Sequence, residues 1–249
     1  MGGRLHTPSL GVEHRGGSVP REGLYDRPVP DAAPILAVVF DMDGVLVDTE
    51  HLWDEVREEL TTEWGGRYTP EAQEAMMGMS SLEWSRYLHE TVGLRERPET
   101  INAEVVRRML ARYEVELPVV PGAVEAVRRL DGEGFRLAVA SSSNRELIDA
   151  VLRRIELAAL FEATVSSEEV ARGKPAPDVY VEAARRLDVA PEKCAAIEDS
   201  ASGIRAARAA GMRVVAYPNR HYPPSAEVLS TADAVLASLD ELDAALRVS

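Results

Sequence analysis

From Pro118 to the C-terminus, short apolar runs alternate with amphipathic ones, and this alternation restricts the fold more than any other feature of the chain. GAVEAVRRLDGEG reads as a helix ending in glycine, FRLAVA (135–140) as a strand, and NRELIDAVLRRI as a helix capped by Ser143 or Asn144. ATVS and CAAIE (194–198) read as strands separated by the helix PDVYVEAARRL. SGIRAARAAG is a helix closed by Gly211, RVVAY is a strand, and ADAVLA with LDELDAAL completes the series. Such alternation predicts an α/β fold, a parallel sheet with helices on both faces.

Upstream, Ile35–Phe40 is apolar and β-branched, bounded by Pro34 and Asp41, and reads as a buried strand of the same sheet. Between about Glu50 and Leu117 the texture changes to amphipathic helices with turn residues between them and no strand pattern. Trp53, Trp64 and Trp84 all fall in this block and read as helix-bundle core. The expected organisation is an α/β core of residues 34–49 and 118–249, interrupted after its first strand by a helical domain, 50–117. Residues 1–33 carry Gly, Pro and charge without apolar periodicity, which predicts a disordered leader.

The chain has 249 residues, 45% of them hydrophobic, enough for one core with a smaller satellite. Its net charge of −14, with no basic stripe, argues against a nucleic-acid partner. Cys194 is the one cysteine, so neither an intramolecular disulfide nor a thiol metal site is available, and its apolar neighbours read as core. No apolar stretch approaches the ~20 residues of a membrane helix, and MGGRLHTPSLGVEHRGG lacks the apolar centre of a signal peptide. A cytoplasmic protein with no membrane partner is expected, monomeric by default.

In an open parallel sheet, ligands bind at the carboxyl ends of the strands. Asp41 and Asp43 follow the first strand, Ser141 follows FRLAVA, Lys174 lies in the loop after ATVS, and Glu198 and Asp199 close CAAIE. Each has an ordinary reading alone. Asp43-Gly44 is also a hairpin signal, Ser141–Asn144 and Glu198-Asp199 can cap the next helix, and Lys174 can be a solvated loop lysine. Their convergence on one sheet edge is what those readings leave unexplained.

Residues i and i+2 of an extended chain share a face, so Asp41 and Asp43 reach a common space. With Asp199 they form an oxygen-rich acidic cluster that a hard divalent cation relieves, and Mg2+ takes one or two carboxylates plus water and substrate phosphate. Lys174 adds a positive charge, Ser141 a hydroxyl, and the main chain after the strands adds N–H donors, together the requirements of a transferring phosphoryl group.

DMDGVLVDTE, SSSN, GKPAPD and IEDSASGIRAARAAG, in that order, resemble the four motifs of the haloacid dehalogenase superfamily over about residues 35–220. The chain is similar to its branch with a helical cap inserted after the first strand, where β-phosphoglucomutase and many sugar-phosphate phosphatases sit. The resemblance implies a Rossmann-like parallel sheet core with an inserted all-helical cap, Mg2+, and a small phosphorylated metabolite, such as a sugar or polyol phosphate, as substrate. It implies that Asp41 is the nucleophile that forms an aspartyl-phosphate, and that Asp43 protonates the leaving alcohol and then activates water. Ser141 and Lys174 would hold the phosphoryl oxygens, with Met42 and Ser142 at the same phosphate. Asp41, Asp199 and the main-chain carbonyl of Asp43 would ligate the metal, and Glu198 would be a ligand or support one. Asp48 and Thr49 lie at the hinge into the cap; Glu50, His51 and the loop Gly78–Ser81, including Ser80, are placed to meet the leaving group.

Asp43 separates the chemistries within this superfamily, because dehalogenases and phosphonatases lack it; C–halogen and C–P cleavage are disfavoured. A β-phosphoglucomutase-type mutase is the nearer alternative. The histidine and arginine that hold the second phosphate in those enzymes fall at Trp53 and Ser81 here, with Arg86 and Arg112 as the alternative cap arginines, which favours a simple phosphohydrolase. A non-catalytic phosphometabolite-binding module is the alternative of another class; it predicts loss of Asp41, Asp43, Lys174 or Asp199, and all four are present.

Overall fold

A strand buried on both faces is apolar at every position, and Ala37–Phe40 (β1), AVVF, has no exposed residue. The computed structural model describes residues 1–3, 34–220 and 222–247. From residue 4 on, the expected leader lies outside the described residues. β1 pairs in parallel with β2 (Arg136–Ser141) on one side and with β4 (Cys194–Glu198) on the other. β3 (Ala163–Ser166), β5 (Arg213–Ala216) and β6 (Ala234–Val235) complete a six-stranded parallel sheet in the order β3-β2-β1-β4-β5-β6. Strand order therefore reverses direction between β1 and β4, and a crevice opens at such a switch point beyond the carboxyl ends.

Alternating side chains divide the core into two layers. Val38 and Phe40 join one with α5 (Ala123–Gly132), α6 (Arg145–Arg154) and α10 (Leu242–Arg247). Ala37 and Val39 join the other, with α7 (Asp178–Arg186), α8 (Ala201–Ala209) and α9 (Ala226–Leu229). The second face is rich in alanine (Ala37, Ala138, Ala140, Ala196 and Ala216), leaving room for α7 and α8. The strands run a residue or two from the sequence reading: β1 starts at Ala37 and β2 ends at Ser141.

Four helices fill the segment between β1 and α5: α1 (Glu50–Glu63), α2 (Pro70–Met76), α3 (Ser81–Glu90) and α4 (Pro98–Val115). Proline opens α2 and α4, where its missing N–H has no acceptor to lose. Ser80 and Glu83 close a reciprocal cap on α3, with Glu83 Oε2 accepting from the Ser80 N–H at 2.8 Å and its Oγ at 2.7 Å. The chain leaves and returns through a paired neck. Asp48 N–H donates to the Pro118 carbonyl (2.8 Å), Val120 N–H donates to the Leu46 carbonyl (3.0 Å), and Val47 bridges Val119.

The Asp43-Gly44 pair makes no strand hairpin. Gly44, at φ +86°, donates its N–H to the Val47 carbonyl, and the N–H groups of Val45, Leu46 and Val47 converge on the Met42 carbonyl. This tight turn sends the chain into the neck. Among the described residues, no helix is long and apolar enough to cross a membrane.

Candidate active site

The carboxyl ends of β1 and β4 deliver three carboxylates to one point, Glu198 as the last residue of β4 and Asp41 and Asp199 directly after their strands. Oxygens of Asp41, Glu198 and Asp199 lie within 4.8 Å of one another, and all three residues are buried. Lys174 reaches in from the loop before α7, its Nζ 2.6 Å from Asp41 Oδ1 and 2.6 Å from Glu198 Oε1. The ammonium also lies 5.0 Å from the centre of the Tyr180 ring. One cation thus faces three buried acids, and the donor set fits a hard divalent cation, which takes oxygen ligands and supplies the missing charge.

Electrostatics express the same imbalance. Burial pushes the Asp41 carboxyl up to about 8; Lys174 pulls it down, and the charge of Glu198 adds to the rise. Asp199 is raised well above the ordinary range by burial, then by Glu198 and Asp41, while the Asn219 Nδ2–H donates to its Oδ2 at 3.0 Å. Burial lowers the proton affinity of Lys174, but Asp41 and Glu198 outweigh it, so the lysine is held charged.

Glu198 is saturated by donors. Oε1 accepts from Lys174 and from the Tyr180 hydroxyl (both 2.6 Å), and Oε2 from the N–H of Asp199 and Ser200 and from the Ser200 Oγ. A side chain at Gly203 has no space, because its Cβ would lie 1.7 Å from Glu198 Oε1. The glycine of SGIRAA is therefore what lets this carboxylate lie under α8. Gly44 is excluded from substitution twice, by its positive φ and by a Cβ that would fall 1.9 Å from Asp199 Oδ2. Tyr180→Phe keeps the ring and removes one donor from Glu198. A buried bond to a charged group contributes ~1.5–3 kcal/mol, and a loss of unfolding free energy in that range is expected from urea denaturation; an unchanged free energy would show that Glu198 does not depend on the hydroxyl.

Asp43 sits slightly apart and is held by different partners. Its Oδ1 accepts from the Thr49 hydroxyl (2.5 Å) and the Trp53 indole N–H (3.3 Å), and its Oδ2 from the Ser143 hydroxyl (2.7 Å). Trp53 belongs to α1, so the helical segment contributes directly to the setting of this carboxylate. Among the described residues, the N–H groups of Met42, Asp43 and Ser142 donate to no protein acceptor. Buried main-chain donors are nearly always paired, so these three amides are available to an anion at the strand ends.

A cavity of about 440 Å³ opens over this point. Its sheet wall includes Asp41, Asp43, Ser142, Ser143, Lys174 and Asp199, and its helical wall includes Glu50, Trp53, Arg57, Gly78 and Trp84. Burial, and then the charge of Asp43, raises the Glu50 carboxyl to about 7. Not every residue singled out in the sequence reaches the cavity. Ser141 is fully buried at the end of β2 with its Oγ accepting the Ser143 N–H at 3.0 Å, and Ser142 and Ser143 form the wall instead. His51 is exposed, since successive helical residues turn by ~100° and Glu50 takes the inward direction. Ser80 is occupied in the cap of α3, outside this cavity.

Sequence reasoning missed Asn219, which follows β5 as the others follow their strands, and Arg57, which lies seven residues after Glu50 on the same face of α1.

The sequence matches the haloacid dehalogenase-like hydrolase family over residues 35–211. It is 35% identical over 177 residues to the phosphorylated carbohydrates phosphatase of Thermotoga maritima, across 71% of this chain and 82% of that protein. Identity to hexitol phosphatase B of Escherichia coli is 34% over 217 residues, 84% of this chain and 95% of that one. The crystal structure of CbbY from Rhodobacter sphaeroides in complex with phosphate superposes with a TM-score of 0.75 at 29% identity, covering 86% of this chain and 100% of its own. With its motifs at the strand ends and matches across most of its length, the chain belongs to the haloacid dehalogenase-like hydrolase family.

Proposed function

We propose that this protein is a divalent-metal-dependent phosphomonoesterase acting on a small phosphorylated metabolite of the sugar or polyol class. One observation carries the reading. Asp41, Asp43, Lys174 and Asp199 line one cavity at the strand-order switch, beside the free N–H groups of Met42, Asp43 and Ser142. The two phosphatases to which the chain is similar act, by their names, on phosphorylated carbohydrates and hexitol phosphates. The mutase alternative is disfavoured: Trp53 stands where such an enzyme would carry its histidine, and Ser81 lies outside the cavity, hydrogen-bonded to Glu168.

Asp41 attacks phosphorus, supplying the electron pair for the new O–P bond while the ester O–P bond breaks. Asp43, set beside it by Thr49, Trp53 and Ser143, gives a proton to the departing alcohol and takes one from the water that hydrolyses the aspartyl-phosphate. Lys174, held by Glu198, faces Asp41 and the phosphoryl oxygens, and Glu198 acts through Lys174. Mg2+, held by Asp41, Asp199 and the main-chain carbonyl of Asp43, would supply charge neutralisation for the phosphoryl oxygens. The segment 50–117 serves as a cap that selects the leaving group and excludes water.

The test is inorganic phosphate release from a panel of phosphorylated sugars, polyols and nucleotides with Mg2+ and with excess EDTA. Release confined to the Mg2+ arm supports the reading; turnover undiminished by EDTA overturns its metal dependence, and turnover of β-glucose 1-phosphate to glucose 6-phosphate with glucose 1,6-bisphosphate would restore the mutase.

A second expectation follows from the raised carboxyl of Asp41. Its proton affinity moves from an ordinary 3.8 to about 8 on folding. Between those values the folded chain without metal keeps a proton that the unfolded chain has released, so stability falls as pH rises through the window and levels off above it. A cation must displace that proton at low pH but not at high pH. The Mg2+-induced rise in Tm is therefore expected to be larger at pH 8 than at pH 5.5 by scanning calorimetry. Equal rises would contradict metal binding at Asp41.

A further inference from the structure

Arg57 is a buried cation for which the hydrolytic chemistry has no use. It is 6% exposed, and its guanidinium lies 4.7 Å from the ring centre of Trp53 and 5.1 Å from that of Trp84. The two indoles meet edge to face, centres 6.0 Å apart, and the guanidinium packs against both. Its Nε is buried with no hydrogen-bond partner, and Arg57 makes no ion pair among the described residues. The acids near it on α1 do not take the role. Asp54 accepts from Tyr68 and Gln73, and Glu50 lies on the cavity wall beyond ion-pair distance.

A guanidinium withdrawn from water without a close ion pair is costly, and the more distant charges of Glu50, Asp54 and Asp43 with two aromatic faces return only part of that. If Arg57 served only to fill the space between Trp53 and Trp84, a methionine would do so without the penalty. Its position is different: it lines the same cavity as Asp41 and Lys174. Arg205, exposed on α8, lines it too, so two arginines border the cavity that holds Asp41 and Lys174. A planar guanidinium matches oxyanions bidentately and is already desolvated here. This is not the cap position of the mutase arginine, which corresponds to Ser81.

We infer that Arg57 binds an oxyanion on the leaving group, a carboxylate or a second phosphate, so that the favoured substrates are phosphorylated sugar acids or sugar bisphosphates rather than neutral polyol monophosphates. The inference rests on the phosphomonoesterase reading of the same site and narrows it. Recognition is read from binding, so that it does not depend on turnover.

The test uses the full chain carrying Asp41→Asn, with Mg2+, and calorimetric Kd values for two matched pairs. Gluconate 6-phosphate against sorbitol 6-phosphate asks for a carboxylate; fructose 1,6-bisphosphate against fructose 6-phosphate asks for a phosphate. In at least one pair the doubly anionic member is expected to bind tenfold tighter or more, and the pair that shows it identifies the oxyanion. Adding Arg57→Met should bring that ratio close to one, with Arg57→Lys between. A ratio near one in both pairs overturns the inference, as does a preference that survives Arg57→Met. The ratio in the Asp41→Asn protein stands even if Arg57→Met disturbs the tryptophan pair. Phosphate release by the native chain from the same four esters is a separate readout: its failure would count against hydrolysis and leave the Kd ratios standing.

Discussion

Asp41→Asn is expected to lower phosphate release by at least about 10⁴-fold, because an amide cannot form the acyl-phosphate and no other carboxylate occupies its place at the end of β1. The same change should not weaken the fold. Asparagine is isosteric, its amide oxygen still accepts from Lys174, and the substitution removes a charge that burial and Glu198 both penalise. Without Mg2+, the variant's Tm should equal or exceed that of the native chain, and the Mg2+ increment should shrink. Calorimetry with and without EDTA, beside a phosphate assay, separates these effects. A variant that loses both activity and stability would show that Asp41 works chiefly as a counter-ion to Lys174.

Lys174→Met makes the opposite case. The methionine fills much of the volume but leaves Asp41 and Glu198 buried without their shared cation. Breaking a buried pair from one side costs ~3–5 kcal/mol, and loss of a charge facing the transferring group lowers turnover by about 10²–10³-fold or more. Urea unfolding in EDTA should show the full loss, and saturating Mg2+ should recover part of it by supplying another positive charge. A loss under about 1 kcal/mol in EDTA would mean that the carboxylates take up protons instead, and that Lys174 is dispensable to the fold.

Asp41 and Glu198 were legible in the sequence for a physical reason. A strand buried on both faces must be apolar throughout, so an acid placed directly after AVVF or closing CAAIE stands out, and chain order gives the sheet edge to which it belongs. Lys174 was legible only through its neighbours at other strand ends, since a lysine in a loop is unremarkable. Asn219 obeys the same rule at β5, but an amide after a strand carries less signal than a carboxylate.

The cavity wall was harder to read. Trp53, Arg57 and Trp84 have helical spacing that fits a bundle core equally well, and nothing in a periodic pattern tells the core of a small helical segment from the lining of a cleft. His51 and Glu50 are adjacent in sequence, so only the rotation of α1 decides which of them faces inward. The saturation of Glu198 depends on Tyr180, Lys174 and Ser200 arriving together, which requires the folded sheet.

The paired neck bears on how quickly such a chain reaches its native topology. β1 must find β2 across roughly 100 residues, and closing a flexible loop of that length costs about 4 kcal/mol in chain entropy. Once Leu46, Val47 and Asp48 join Pro118–Val120, the intervening helices drop out of the loop, leaving roughly 25 residues to close and lowering the barrier by about 1 kcal/mol. Helices that fold among themselves and bring their own ends together would thus turn a long-range strand pairing into a nearly local one, and substitutions at Val119 would register in the refolding rate before they register in the melting temperature.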